Sequence, residues 1–161
     1  MHQFLDNDGL RLVLNLLRDD ADGEVRNKAQ YAVSGTIKHF PAALAAFTEM
    51  GGYDVLNEVI ARMEDLPVMR KIIFMYNTLV MDDANTARIL IEKGIIKKLE
   101  EVLEKFKDDE DMVENVVRTL HTLLTHTSTP VPANLVTTLR DLKTKHGELQ
   151  LAEEEWKELR V

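Results

Sequence analysis

EVRNKAQYAVSGTIKH, residues 24–39, runs directly into FPAALAAFTEMGGYDVL, residues 40–56. The first stretch has the spacing of an amphipathic helix, and the second restarts a pattern the chain has already used. Aligning DGLRLVLNLL at Asp8, GGYDVLNEVI at Gly51 and GIIKKLEEVL at Gly94 superposes the apolar positions at a constant offset of 43 residues. Leu10, Tyr53 and Ile96 correspond, as do Val13, Leu56 and Leu99, then Leu16, Val59 and Val102, then Leu17, Ile60 and Leu103. Steps of three, three and one mark a single helical stripe. A compact bundle with an accidental repeat is the competing reading, and the four-point register argues against it.

A longer helix follows each restart. Its stripe is Val25, Ala29, Ala32, Val33 and Thr36 in the first unit, then Val68, Ile72, Met75, Tyr76 and Leu79 in the second. In the third unit, after one extra residue in the acidic turn KDDEDM, it is Met112, Val116, Thr119, Leu120 and Leu123. Shorter helices open at Pro41 and at Asp83, a proline compatible with a first helical turn and a capping aspartate. Three helices per unit, separated by Gly51-Gly52 or Gly94, give a period in the armadillo and HEAT range. The expected architecture is all-α, an armadillo-like right-handed superhelix with repeats at about 8–50, 51–93 and 94–129 in one domain, 1–161. THTSTPVP from Thr125 breaks the pattern, and residues 130–161 read as a helical pair hinged at Gly147. Leu135, Leu139 and Leu142 point inward, and Trp156 with Leu149 and Leu159 staples the last helix back, forming the kind of cap solenoids need. The N-terminal HQFLDND reads as the tail of a short helix, so an upstream segment is expected.

Composition narrows the function. The 28 acidic and 20 basic residues give a net charge of -8, which opposes phosphate backbones and makes nucleic acid an unexpected partner. Without cysteine there is no disulfide, thiolate nucleophile or cysteine-bound metal. MHQFLDNDG lacks the regions of a secretory signal, no apolar run is long enough to cross a membrane, and no N-x-S/T sequon occurs. A cytoplasmic monomer is expected. Catalysis needs a nucleophile-base or acid-base constellation. Of the five histidines, His121 and His126 are five apart and so do not align on a helix as a zinc pair does, while KDDEDM lacks the glycine and ligand spacing of a calcium loop. No cofactor, metal or catalytic residue is expected, and the chain reads as a binding protein.

In an armadillo unit the long helix lines the concave surface. Positions off its packing stripe and one turn apart are Lys28, Tyr31 and Gly35, then Arg70, Lys71, Phe74 and Thr78, then Asn115, Arg118 and Thr122. These are the candidate partner-binding residues, because aromatic and Arg side chains anchor such interfaces. The competing readings are a solvated face for each Lys and Arg, and packing between units for Tyr31 and Phe74. Gly35 either permits close approach or eases helix packing.

The Trp and Asn ladder of peptide-binding armadillo proteins, importins and catenins, is absent. Its positions carry Tyr31 and Gly35, Phe74 and Thr78, Arg118 and Thr122. The chain resembles instead the armadillo-repeat nucleotide exchange factors of seventy-kilodalton, DnaK-type heat-shock chaperones, of the cytosolic heat-shock-binding-protein type. The residues that carry the resemblance are VRxKAxxAVS, the short helix around AALxxF, the GGYxVL restart, RKIIFMYNTLV, IEKGIIKKLEEVL and the Leu- and Glu-rich terminal pair. It covers essentially all 161 residues. The resemblance implies a co-chaperone whose concave face binds the chaperone's nucleotide-binding domain and promotes ADP release. It also implies that the basic positions meet acidic surface on a chaperone lobe. Cytosolic members carry a flexible N-terminal segment with which they eject substrate, and the chain is expected to be a fragment lacking it. A general armadillo scaffold that does not act on chaperones is the alternative.

Overall fold

The computed structural model describes residues 8–146 and 153–159. Helices α1 (Gly9–Asp19), α2 (Gly23–His39) and α3 (Pro41–Glu49) are followed by α4 (Gly52–Arg62), α5 (Leu66–Asp82) and α6 (Ala84–Glu92). Then come α7 (Ile95–Lys105), α8 (Glu110–Thr127), α9 (Ala133–Lys145) and α10 (Glu153–Glu158). Among the described residues there is no strand, and the fold is all-α and armadillo-like. Lengths of 11, 17 and 9 residues in α1 to α3 recur in α4 to α6, so the 43-residue period of the sequence is also a period of the backbone.

The unit junctions explain the recurrence. Gly51 and Gly94 precede α4 and α7 with φ of 75° and 79°, a left-handed conformation that lets the chain reverse. Asp8 holds the same place before α1 with φ of 55°, aspartate being among the few other residues that visit this region. The long helices are capped by carboxylates: Asp22 accepts from the Glu24 amide and Asp109 from the Met112 amide, while Asp65 accepts from the Val68 amide. Pro41 opens α3, and Asp83 caps α6 by accepting from the Asn85 amide at 2.9 Å.

Two compact bodies divide within α5, after Met75. In the first, α1 packs on α2 and α4, and α3 on α2 and α4. Phe47, fully buried, meets Tyr53 edge-on with ring centroids 4.9 Å apart. Gly52 makes this possible, because a Cβ there would lie 2.3 Å from the Phe47 ring. In α4 the expected stripe Tyr53, Leu56, Val59 and Ile60 is buried. In α1 the buried set is Leu10, Leu14 and Leu17, while Leu16 is 36% exposed and Val13 half-buried. In α2 it is Ala29, Gln30, Val33 and Ile37, with Ala32 exposed and Val25 and Thr36 half-buried. Both helices thus bury a face rotated from the expected stripe.

A polar clasp ties the first body's turns together. Arg26 grips Asp65 through Nε at 3.0 Å and Nη2 at 2.9 Å, and its Nη1 donates to the Asp20 and Ala21 carbonyls at 2.8 and 3.1 Å. Two guanidinium donors converge on one oxygen of Asp65, Oδ2, and the third nitrogen serves the turn that precedes its own helix.

In the second body α6 packs on α7 and α8, α7 on α8, and α10 on α8. The whole expected stripe of α8 is buried. Helix α8 continues to Thr127, beyond the break expected at Thr125, and ends where Ser128 turns left-handed with φ of 52°. Leu135, Leu139 and Leu142 are buried on α9, and Trp156 and Leu159 are buried beyond it. The Lys143 ammonium sits 5.5 Å from the Trp156 ring centroid. Lys145 pairs with Asp108, and His146 bonds the Lys107 carbonyl, which fastens the end of α9 to the turn between α7 and α8. The HQFLDND segment, Gly147 and Leu149 lie outside the described residues.

Candidate protein-interaction surface

Helices α2, α5 and α8 carry every candidate position. On α2, Lys28, Tyr31 and Gly35 are all exposed, Tyr31 at 78%. On α5, Lys71 is exposed, Phe74 is 56% exposed, and Arg70 and Thr78 are half-buried. Packing between units therefore does not account for Tyr31, and it leaves more than half of Phe74 exposed. The spacing of three and four residues repeats from α2 to α5, so each helix presents one outward row.

Two cross-helix contacts fix these rows against each other in the first body. Lys71 donates to the Asn27 side chain, and the Lys38 ammonium lies 5.5 Å from the Phe74 ring centroid. The second contact is a cation–π interaction that holds a positive charge over an exposed aromatic face. Lys38 and Asn27 were not singled out in the sequence. Lys38 continues the row Lys28, Tyr31, Gly35 by three residues, and that spacing was a signal available from the start.

Charge segregation is a further signal. The chain has 28 carboxylates, yet none falls between residues 25 and 39 or between 66 and 81. In α8 the acids Glu110, Asp111 and Glu114 sit at the start, and none follows up to Thr127. Acidic residues in the first turn suit the positive end of the helix dipole. Their absence from the rest of α2 and from α5 up to Met81 leaves two rows that are basic or neutral in an acidic protein, an arrangement that attracts a negatively charged surface.

The third row differs from the other two. Asn115 is half-buried, and Arg118 is half-buried with its guanidinium 2.7 Å from Glu114. Thr122 is a correction: its side chain is buried, donating to the Asn77 side-chain oxygen at 2.6 Å and lying 3.0 Å from the Arg118 carbonyl. A threonine hydroxyl so engaged presents nothing outward.

Of the histidines, His121 pairs with Glu158 and His146 with a backbone carbonyl, and His39 and His126 are exposed. His2 lies outside the described residues. Among the described residues no group of three His, Asp or Glu is placed to hold a metal ion. The open depression of about 450 Å³ at the starts of α2 and α5 is lined by Arg26, Asn27, Glu64 and Asp65, where the Arg26–Asp65 pair already engages the principal charges. No described helix is long and apolar enough to cross a membrane.

Comparison with known proteins bears on this surface. The family described as "SIL1/FES1/HPBP1 C-terminal domain" matches residues 3–89, which include the rows on α2 and α5. The Hsp70 nucleotide exchange factor FES1 of Mycosarcoma maydis is 39% identical over 82 residues, 51% of this chain and 21% of that protein. The Hsp70 nucleotide exchange factor fes1 of Schizosaccharomyces pombe is 26% identical over 121 residues, 74% of this chain and 42% of that protein. The chain thus spans less than half the length of either curated relative. The crystal structure of an engineered protein matches with a TM-score of 0.69 at 20% identity, covering 97% of this chain and 61% of that one, a likeness of fold alone.

Proposed function

Since the chain belongs to the SIL1/FES1/HPBP1 C-terminal domain family, we propose that it is a nucleotide exchange factor of a seventy-kilodalton heat-shock chaperone. It binds the chaperone's nucleotide-binding domain through the outward rows of its long helices and promotes ADP release, as a cytoplasmic monomer. The observation that carries this reading is the carboxylate-free, aromatic and basic face of α2 and the adjoining part of α5, inside the matched residues. The printed names of both curated relatives, Hsp70 nucleotide exchange factors, support it.

The activity requires no catalytic side chain. A protein that binds the nucleotide-free chaperone more tightly than the ADP-bound form shifts the chaperone toward releasing nucleotide. By thermodynamic reciprocity, nucleotide entry weakens the complex by the same factor. Binding free energy is therefore used to open a cleft, and returning nucleotide, ATP included, dismisses the exchange factor. Tyr31 and Phe74 supply apolar anchors, Lys28, Lys38, Arg70 and Lys71 complement an acidic partner surface, and Asn115 and Arg118 extend the contact.

Release of a fluorescent ADP analogue from the chaperone, followed after adding unlabelled nucleotide, tests the reading. The chain is expected to accelerate release in proportion to its concentration until the chaperone is saturated. An unchanged release rate at saturating chain overturns it.

A further inference from the structure

Gly35 has no internal reason to be glycine. Glycine is required where the backbone turns left-handed or where a neighbour leaves no room for a Cβ. The positive-φ glycines among the described residues are Gly51 and Gly94, while a Cβ would press on the Phe47 ring at Gly52 and lie 3.3 Å from the Arg26 guanidinium at Gly23. Gly35 belongs to neither class: a Cβ built there would meet nothing within 4 Å. It stands inside the 17-residue α2, exposed, where glycine weakens a helix relative to alanine.

Its surroundings point outward. Tyr31 is one turn before it and Lys38 one turn after, both on its own face, with Lys28 one turn beyond Tyr31. Phe74 and Lys71 lie on the adjoining row, joined to α2 through Lys38 and Asn27. The result is a bare stretch of helix backbone flanked by two exposed aromatic rings and three ammonium groups, with no carboxylate on either helix segment.

We propose that Gly35 is the point of closest approach between this protein and its partner. There a carboxylate-bearing ridge of the partner seats against the α2 backbone, its apolar part between Tyr31 and Phe74 and its acidic groups toward Lys28, Lys38 and Lys71. The inference rests on the exchange-factor reading for the identity of the partner, the nucleotide-binding domain of a seventy-kilodalton heat-shock chaperone. It adds the place and the chemistry of the contact.

The test compares Gly35→Ala and Gly35→Leu with the unaltered chain and with Ala45→Leu, an exposed substitution on α3. Thermal unfolding and affinity for the purified nucleotide-binding domain are both measured. Gly35→Ala should raise the unfolding midpoint by about 2 to 4 °C, since it adds helix propensity and clashes with nothing in the fold. Gly35→Leu should fold as well as the unaltered chain yet bind roughly tenfold or more weakly, through a steric clash that exists only in the complex. Ala45→Leu should bind normally. If the unaltered chain binds and Gly35→Leu binds equally well, the close approach is refuted while the exchange-factor reading stands. A lowered midpoint for Gly35→Ala also refutes it, by revealing an internal role. If the unaltered chain does not bind the domain, the exchange-factor reading falls and this inference with it.

Discussion

Gln30 is a buried polar residue that fits its surroundings poorly. It is 1% exposed between α2 and α5, its amide nitrogen reaches only the Met75 sulfur at 3.9 Å, and its amide oxygen has no hydrogen-bond partner among the described residues. A buried polar atom left unsatisfied costs about 1 to 3 kcal/mol. Replacement by a flexible apolar side chain of similar length removes that cost without opening a cavity. Gln30→Met is therefore expected to stabilise the chain by about 1 kcal/mol, read from the midpoint of urea unfolding at an unchanged slope. A lower midpoint would mean that the amide has a function in the fold which its contacts do not reveal. The sequence showed nothing of this, because glutamine has ordinary helix propensity and one position in a stripe does not betray the depth to which it is buried. Arg26 was hidden for a similar reason: its partner Asp65 is 39 residues away, and the equivalent position in the next unit is Met69, so no repeat signal marks it.

Elements were far more legible than single contacts. Three helices per unit, the glycine junctions and the capping aspartate Asp83 all follow from local chemistry, and the helices stand where spacing placed them. The stripes of α1 and α2 were harder to read, because periodicity identifies an apolar face without saying which of two adjacent faces a neighbour covers. Leu14, not Leu16, goes inward on α1. The junction before α7 offers a clean test of the backbone argument. Gly94 has φ of 79°, and a Cβ there would come no nearer than 3.8 Å to the Lys98 ammonium, so substitution meets backbone strain and no crowding. Gly94→Ala should cost about 1 to 2 kcal/mol, measured by thermal or urea unfolding. Gly94→Asn should cost less, as asparagine tolerates the left-handed region and Asp8 already occupies it at the equivalent junction. Equal stability of all three chains would show that the junction does not constrain the fold.

At the scale of the molecule the decisive property is where charge is absent. A chain of net charge -8 that keeps carboxylates off α2 beyond its first turn, and off α5 up to Met81, leaves that surface basic or neutral, as the proposed contact with an acidic partner surface requires. Lys28, Tyr31, Gly35, Lys71 and Phe74 were legible as exposed positions because they lie off the apolar stripes of their helices, whereas Arg70, Thr78, Asn115 and Arg118 are half-buried. Thr122 was misplaced because its hydroxyl finds Asn77, a contact 45 residues away that no local pattern encodes. Arg118 is a poor reporter of binding, since reversing its charge sets two carboxylates side by side with Glu114 and disturbs the helix itself. Lys28 and Lys71 are exposed and serve better. The most direct measurement is therefore the affinity of the Lys28→Glu, Lys71→Glu double variant for a chaperone nucleotide-binding domain, at low and at moderate salt, beside an Arg88→Glu control on the exposed side of α6. The expected result is an intact fold, affinity reduced by roughly tenfold or more at low salt, a smaller salt dependence than the unaltered chain, and a control that binds normally. Equal affinity for all three proteins, or equal losses in variant and control, would contradict it.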